Sequence, residues 1–449
     1  MLAKLLPLRF NANISSNNVE KIILIVLFLI TTLLYIPTFF NDWQMDWDDQ
    51  WAILGNPFIL NPNIDSLKTL FTTFYYEQYA PFNVLFYFVL FKLFGFNAGV
   101  FHAACLMIHL ANVALVYKIV RELLQNLRSH YSIMRVLSFA FFTSLIFAIH
   151  PLQVESVAWN SASKIVLYAF CYLICVLLYL KQIKVKRTNS VIYKIYISLL
   201  FIIALGFKEQ AIILPFTFFA IDYVFGRIRF PNYPLNSRII LEKLPYIIIA
   251  LAYWAFSAQF EVGSLVLKDS YALQERLLFG MQSMCEYVFR YLAPVKLFYF
   301  YPFPYEKGGI PNLSIYSNVI FFIIIIIFFI YNFKRKNKIF VFGFLFFLIN
   351  ISLVLHIIPV PRRFITADRY MYISIIGASI SFWWIILYIL KKSPQLKIPV
   401  YSLVVIYCLF LSIKTVNRVG DWKNSRTLKE NVNELINNKL EKGKEEDMK

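Results

Sequence analysis

The sequence predicts an all-α polytopic membrane protein, a bundle of about 11 transmembrane helices, and three observations carry that expectation. Of the 449 residues 59% are hydrophobic and only 15% charged, with a mean hydropathy of +0.63. A water-soluble fold of this size could not hide so much apolar surface. Runs such as "KIILIVLFLITTLLYIPTFF" (Lys21 to Phe40) and "VIFFIIIIIFFIY" (Val319 to Tyr331) approach the roughly 20 apolar residues that cross a bilayer. The lysines and arginines fall in short loops between such runs, where basic excess marks the cytoplasmic side.

Taken in order, the first apolar run lacks a small-residue cleavage site and reads as a retained span. Lys4, Arg9 and Lys21 hold the N-terminus in the cytoplasm, so the first loop, 41–97, is external. It opens with "NDWQMDWDDQWAILGNP", which sets Asp42, Asp46, Asp48 and Asp49 among three tryptophans. The apolar stretch Phe82 to Phe96 is short, follows Pro81 and contains Lys92, which predicts a helix lying along the outer interface. Basic clusters at Lys118/Arg121/Arg128/Arg135, Lys181/Lys184/Lys186/Arg187/Lys194, Arg227/Arg229/Arg238/Lys243, Lys334 to Lys338 and Lys391/Lys392/Lys397 then mark successive cytoplasmic turns. An odd number of crossings must separate each from the external loops. The segment "RLLFGMQSMCEYVFRYLAPVKL" carries Arg276, Glu286 and Arg290, which are costly in lipid, so 276–295 reads as a second juxtamembrane helix on the outer side. The chain divides into a transmembrane domain, 1–415, and a short external amphipathic tail, 416–449, in which Trp422, Leu428, Val432, Leu435 and Leu440 recur at near-helical spacing.

The net charge of +19 does not indicate nucleic-acid binding, because the cytoplasmic turns account for it. Cys105, Cys171, Cys175 and Cys408 lie in apolar runs and read as packing residues, while Cys285 sits in a mixed helix; Cys171 and Cys175 lie one helical turn apart with no histidine or carboxylate beside them. His102 and His109, on one helical face, read as interhelical hydrogen-bonding groups.

The unusual polar residues collect on the external face, in the Asp loop, "HPLQVESVAWNSASK", "GFKEQ" and "PVPRRFITADRY". That face joins Asp48, Asp49, Glu155, Glu209 and Asp368 with Lys208, Arg362, Arg363 and Arg369. Carboxylates can take a proton from a hydroxyl or hold magnesium or manganese, and cationic side chains can hold a phosphate. The set suits group transfer from a phosphate carrier to a hydroxyl, with a lipid donor whose tail stays in the membrane. Each feature alone has a plainer explanation: adjacent acids cap helices, tryptophans anchor span ends, a Glu after Pro151 complements a helix dipole, Lys208–Glu209 is a local ion pair, and Arg362 and Arg363 contact headgroups.

Their order adds to this. "DWDDQWAILGNPFI", "YAPFNVLFYFVLFKLFGFNAGVFHAACLMIHLANVALVYKIVREL", "FAIHPLQVESVAW", "LGFKEQAIILP", "ADRYMYISIIG" and "DWKNSRTL" follow one another from Asp46 to Leu428. In that order they resemble the membrane part of the transmembrane and tetratricopeptide-repeat O-mannosyltransferases, members of the C-type glycosyltransferase (GT-C) superfamily. The resemblance implies a polytopic enzyme with an acidic motif in its first external loop, a juxtamembrane helix in that loop, and a polyprenyl-phosphate-linked sugar as donor. Position by position it makes Asp48 the catalytic carboxylate with Asp49 as neighbour. Glu155 takes the His-Pro-x-x-x-Glu position after His150, Lys208 and Glu209 form the Lys-Glu turn, and Arg369 stands in the Arg-Tyr motif before a span. Lys164 stands where the family often has an arginine. Catalysis then falls to Asp48, Asp49 and Glu155, with Asp49 and Glu155 as ligands of any divalent cation (Mg or Mn). Donor-phosphate binding falls to Lys208, Arg362, Arg363 and Arg369, and His150, Lys164 and Glu209 line the acceptor pocket. The implied setting is a bacterial inner membrane with the site on the periplasmic face, mannose a candidate sugar, and a protein, glycan or lipid hydroxyl as acceptor. No tetratricopeptide repeat occurs in these residues.

Two other classes share parts of the pattern. A transporter or flippase places ionisable residues inside its spans along a pathway, whereas here the middles of the spans are free of them. A lipid-linked glycan ligase or polymerase shares the transfer chemistry, and the aromatic segment "LFYFYPFPYEKGG" would suit its larger acceptor groove.

Overall fold

The computed structural model describes residues 16–76, 78–127, 132–185, 187–228, 237–261, 271–299, 301–305, 307, 309, 313–358 and 364–433. The α-helices in chain order are α1 Ser16–Tyr35, α2 Pro57–Leu60, α3 Ile64–Thr72, α4 Pro81–Phe94, α5 Ala98–Leu127, α6 Ile133–Ile149, α7 Val154–Ala158, α8 Ser163–Gln182, α9 Arg187–Phe207 and α10 Leu214–Val224. They continue with α11 Ser237–Glu261, α12 Leu273–Leu292, α13 Leu313–Lys334, α14 Lys338–Ile351, α15 Met371–Lys392 and α16 Lys397–Asp421. Among the described residues there is no strand, only isolated bridges at Tyr75–Gln78 and Tyr301–Thr366. The protein is an all-α, multi-pass membrane protein.

Among the described residues eight helices (α1, α5, α8, α9, α11, α13, α15 and α16, some with a flanking turn) are long and apolar enough to span a membrane, and nine if α6 and α7, bent by 56°, form one broken span. Two further positions expected to cross are shorter: α10 has 11 residues and α14 has 14. The segment expected along the outer interface is α4, packed on α2, α5 and α9. The segment expected as a second juxtamembrane helix is α12, which buries Phe279, Met284, Tyr287 and Tyr291 and carries Glu286 paired with Arg290 at 2.5 Å.

The two ends differ in chemistry. At one end Arg121 pairs with Glu20 at 2.8 Å and Lys184 with Glu122 at 2.7 Å. There the fully buried Asp222 accepts hydrogen bonds from Tyr179 (2.9 Å) and Arg227 (2.6 Å) and pairs with the fully buried Lys243. Lys243, expected as a solvated loop charge, is instead part of a buried staple joining α8, α10 and α11, and Asp222 is the reason. At the other end Thr415 of α16 donates to the Ile149 carbonyl at the close of α6 (2.6 Å), and Asn41, after α1, donates to the Val419 carbonyl (3.2 Å). The expected tail is not separate. Helix α16 continues to Asp421, residues 425–433 are helical, and Trp422 and Leu428 are fully buried. Its remaining residues, 434–449, lie outside the described ones.

Helices α14 and α15 approach backbone to backbone. A Cβ on Gly377 would collide with the Gly343 carbonyl oxygen and the Phe347 backbone nitrogen. Small residues allow such contact where lipid gives helices no hydrophobic drive to associate. Gly377→Ala is therefore expected to cost about 1–3 kcal/mol and lower the unfolding midpoint in detergent. An unchanged midpoint would contradict this packing.

Candidate functional site

The site is built where helices break. Pro151 has no N–H and pushes the preceding residue out of the helical region, so His150 adopts φ −77° and ψ 131° and α6 ends. The Nδ1 of His150 accepts from the Leu152 N–H (3.2 Å), which leaves Nε2 to donate to the Tyr291 carbonyl (2.9 Å). The ring is fully buried and stacks on Tyr291 at 5.4 Å. His150, expected to line an acceptor pocket, is instead the hinge that caps the turn, because both its nitrogens are used. The turn leads into α7, which presents Glu155, and then through Asn160–Ala162 into α8, whose first turn carries Lys164.

Glu155 is fully buried and meets Arg369, in the turn Asp368–Tyr370 that opens α15. Its Oε2 accepts from the Arg369 backbone N–H (2.9 Å) and its Oε1 pairs with the guanidinium. The same guanidinium lies over the rings of Trp159, Phe364 and Tyr370 at 5.6, 5.2 and 5.1 Å. Beside it Asp368, also fully buried, accepts from the Tyr301 hydroxyl (3.0 Å) and pairs with Arg418 (3.4 Å).

The two adjacent aspartates of the first loop differ sharply. Asp49 is buried: its Oδ2 accepts from the Gln44 N–H (2.9 Å), and its Oδ1 accepts from the Ser161 N–H (2.9 Å) and hydroxyl (2.5 Å). Burial pushes its carboxyl up to about 6, against those hydrogen bonds and with help from the neighbouring Asp48 charge. Asp49, expected as catalytic, pins the loop to the turn before α8. Asp48 is half-buried; its Oδ1 accepts from Trp51 Nε1 (3.2 Å), and its other oxygen accepts from no described residue. The tryptophans expected as lipid anchors pack inward. Trp43 meets Phe101 at 5.1 Å, Trp47 meets Tyr299 at 4.5 Å, and Trp51 stacks on Tyr76 at 4.8 Å. Tyr299 also meets Trp422, which stacks on Trp159, so four aromatic rings from four segments form one cluster, and its Trp159 faces the Arg369 guanidinium.

Lys164 donates to Gln78 and lines a cleft of about 490 Å³, counted to its open mouth, with Trp51, Tyr75, Asn83, Tyr87 and Ser161. Its ammonium lies within electrostatic reach of Lys208, Asp48, Glu209 and Arg369. Lys208, held extended between α9 and the turn Glu209–Ile213, pairs with Glu209 at 2.9 Å. Burial, opposed by Arg369 and reinforced by Asp48 and Glu155, pushes the Tyr299 hydroxyl above its ordinary value. Asp48, Glu155, Lys164, Lys208, Glu209 and Arg369 thus share one neighbourhood, while Arg362 and Arg363 lie outside the described residues. Sequence reading missed Ser161, Gln78 and the role of Tyr299. Only Tyr299 had a signal, as part of the aromatic segment noted for a groove.

Among the described residues no three His, Cys, Asp or Glu side chains are placed to share a metal ion. Asp49 and Glu155, the expected ligands, each accept protein hydrogen bonds on both oxygens, so as arranged they do not fit a cation. The chain matches no protein-family model and no curated protein.

The Asp49 shift has a measurable consequence. An unfolded Asp titrates near ~3.9, so the folded chain binds more protons between that pH and about 6. Stability from this group is full below pH ~4 and is lost as pH rises through the folded value. Asp49→Asn is expected to remove a slope worth about 3 kcal/mol across that window, read by unfolding the wild type and the variant over pH 4–7. Parallel pH profiles would contradict it.

Proposed function

We propose that the protein is a GT-C-type membrane glycosyltransferase that moves a sugar, with mannose the leading candidate, from a polyprenyl-phosphate donor to a hydroxyl on a protein, glycan or lipid acceptor. What supports this is one observation: Asp48, a half-buried carboxylate with one oxygen that accepts from no described residue, shares a neighbourhood with Lys164, Lys208 and the buttressed Arg369. A base beside a cluster of cations at the end of a helical bundle suits phosphate as a leaving group. Under this reading α1, α5, α6, α8, α9, α10, α11, α13, α14, α15 and α16 are the eleven crossings. The Arg121/Lys184/Arg227 end then lies in the cytoplasm, and the site opens on the periplasmic face of a bacterial inner membrane.

In the proposed reaction the acceptor oxygen attacks the anomeric carbon from the face opposite the phosphate, and Asp48 takes its proton. The bond from the anomeric carbon to the phosphate oxygen breaks, its electron pair leaves with the lipid phosphate, and configuration inverts. Lys164 and Lys208 hold the growing negative charge. Glu155 acts through Arg369, fixing the guanidinium against α7. Arg362 and Arg363 keep the phosphate role that their charge and their place in an external loop suggest. Donors already aimed where charge develops often supply the largest catalytic term.

The test incubates purified protein with polyprenyl-phosphate sugars and measures release of the lipid phosphate. Asp48→Asn is expected to lower the rate by about 10²–10⁴-fold with its unfolding midpoint unchanged. Near-normal turnover of that variant would remove Asp48 from the role of base. Failure of the wild type to release phosphate from any such donor would count against the transferase reading.

A further inference from the structure

The same end of the bundle holds a second cleft, apart from the one that Lys164 lines. It measures about 570 Å³ to its open mouth and lies between the loop after α12 and the last turns of α16. Lys296, Lys414, Arg418 and Asn417 line it, with Asp421 as the lining carboxylate. That carboxylate is occupied, since Arg418 Nη1 donates to it at 2.9 Å and to the Leu297 carbonyl at 3.0 Å. Arg418 is 3% exposed, and its buried Nε–H finds no acceptor among the described residues. Lys414 spends one N–H on the Val295 carbonyl (3.0 Å), and Lys296, exposed, has no ion-pair partner among the described residues. Among the described residues Lys296 and Lys414 therefore keep ammonium N–H groups with no protein acceptor, and an anion is the acceptor that fits them beside the buried Arg418 charge.

The location narrows the anion. Helix α16 is long and apolar enough to span a membrane, and the cleft sits at its end, where headgroups lie. Its lining includes apolar side chains, Pro294, Val295, Leu297 and Phe298, and Val295 is 59% exposed. Cationic side chains beside exposed apolar ones at the end of a span match a phosphate that carries acyl chains. We infer that this cleft binds the phosphate of an anionic membrane lipid, with Lys296 and Lys414 as its donors and Arg418 as the buried positive charge behind them. The inference does not depend on the transferase reading. It does connect to that neighbourhood, because Arg418 also pairs with Asp368, the residue before Arg369.

The test titrates delipidated full-length protein in neutral detergent with phosphatidylglycerol, counting bound lipid by native mass spectrometry. Wild type is expected to hold one phosphatidylglycerol about tenfold more tightly than the Lys296→Gln/Lys414→Gln double variant. The single Lys296→Gln variant, which alters an exposed side chain, is expected to fall between them. Displacement of the lipid by millimolar inorganic phosphate would assign the cleft to free phosphate, and retention would assign it to the headgroup. Equal phosphatidylglycerol affinity in wild type and both variants would overturn the inference.

Discussion

Glu155 has no exposed surface, and a carboxylate taken wholly out of water is tolerable only with a partner held in good geometry. Arg369 supplies that partner twice, through its backbone N–H and its guanidinium, and three aromatic rings surround the cation. The pair ties α7 to the turn that opens α15, although the two residues are 214 positions apart. Other contacts build on that tie. Ser161, just beyond α7, is the group on which Asp49 fastens the first loop, and Trp159 is the ring on which Trp422 stacks. Loosening the pair would free the loop that carries Asp48 and the cover that closes over it.

Most of the fold was legible, and the limits have identifiable causes. Apolar runs and basic turns pointed to a multi-pass helical bundle, and the two segments set apart by their charges, Phe82 to Phe96 and 276–295, are not among the candidate spans of the described residues. Hydropathy does not register where an α-helix gives way to a tighter turn, so α10 and α14 read as full spans although Glu209–Ile213 and Ser352–Val354 shorten them. Nor does it show that Lys243 turns inward, because its partner Asp222 lies in another helix.

At the site, residue types were legible but their duties were not. Neighbouring carboxylates with the same chemistry acquire different environments: Asp49 is consumed by three donors, while Asp48 keeps an open oxygen. That difference is made by Ser161, 112 positions away, and no local pattern encodes it. His150 looked chemical because of its motif, yet the proline after it made it a cap. His102 and His109 behaved as expected, bonding across helices to Asn160 (3.3 Å) and Tyr372 (2.7 Å).

Glu155 and Arg369 support the Asp48 loop only if they act as one unit. The direct measurement is a double-mutant cycle on unfolding free energy in detergent, using Glu155→Gln, Arg369→Met and the two combined. Either single change should cost about 3–5 kcal/mol by leaving a partner stranded, and the double change far less than their sum, a coupling above about 2 kcal/mol. Strictly additive losses would mean that the two side chains do not hold one another, and the platform described for Asp48 would have no support.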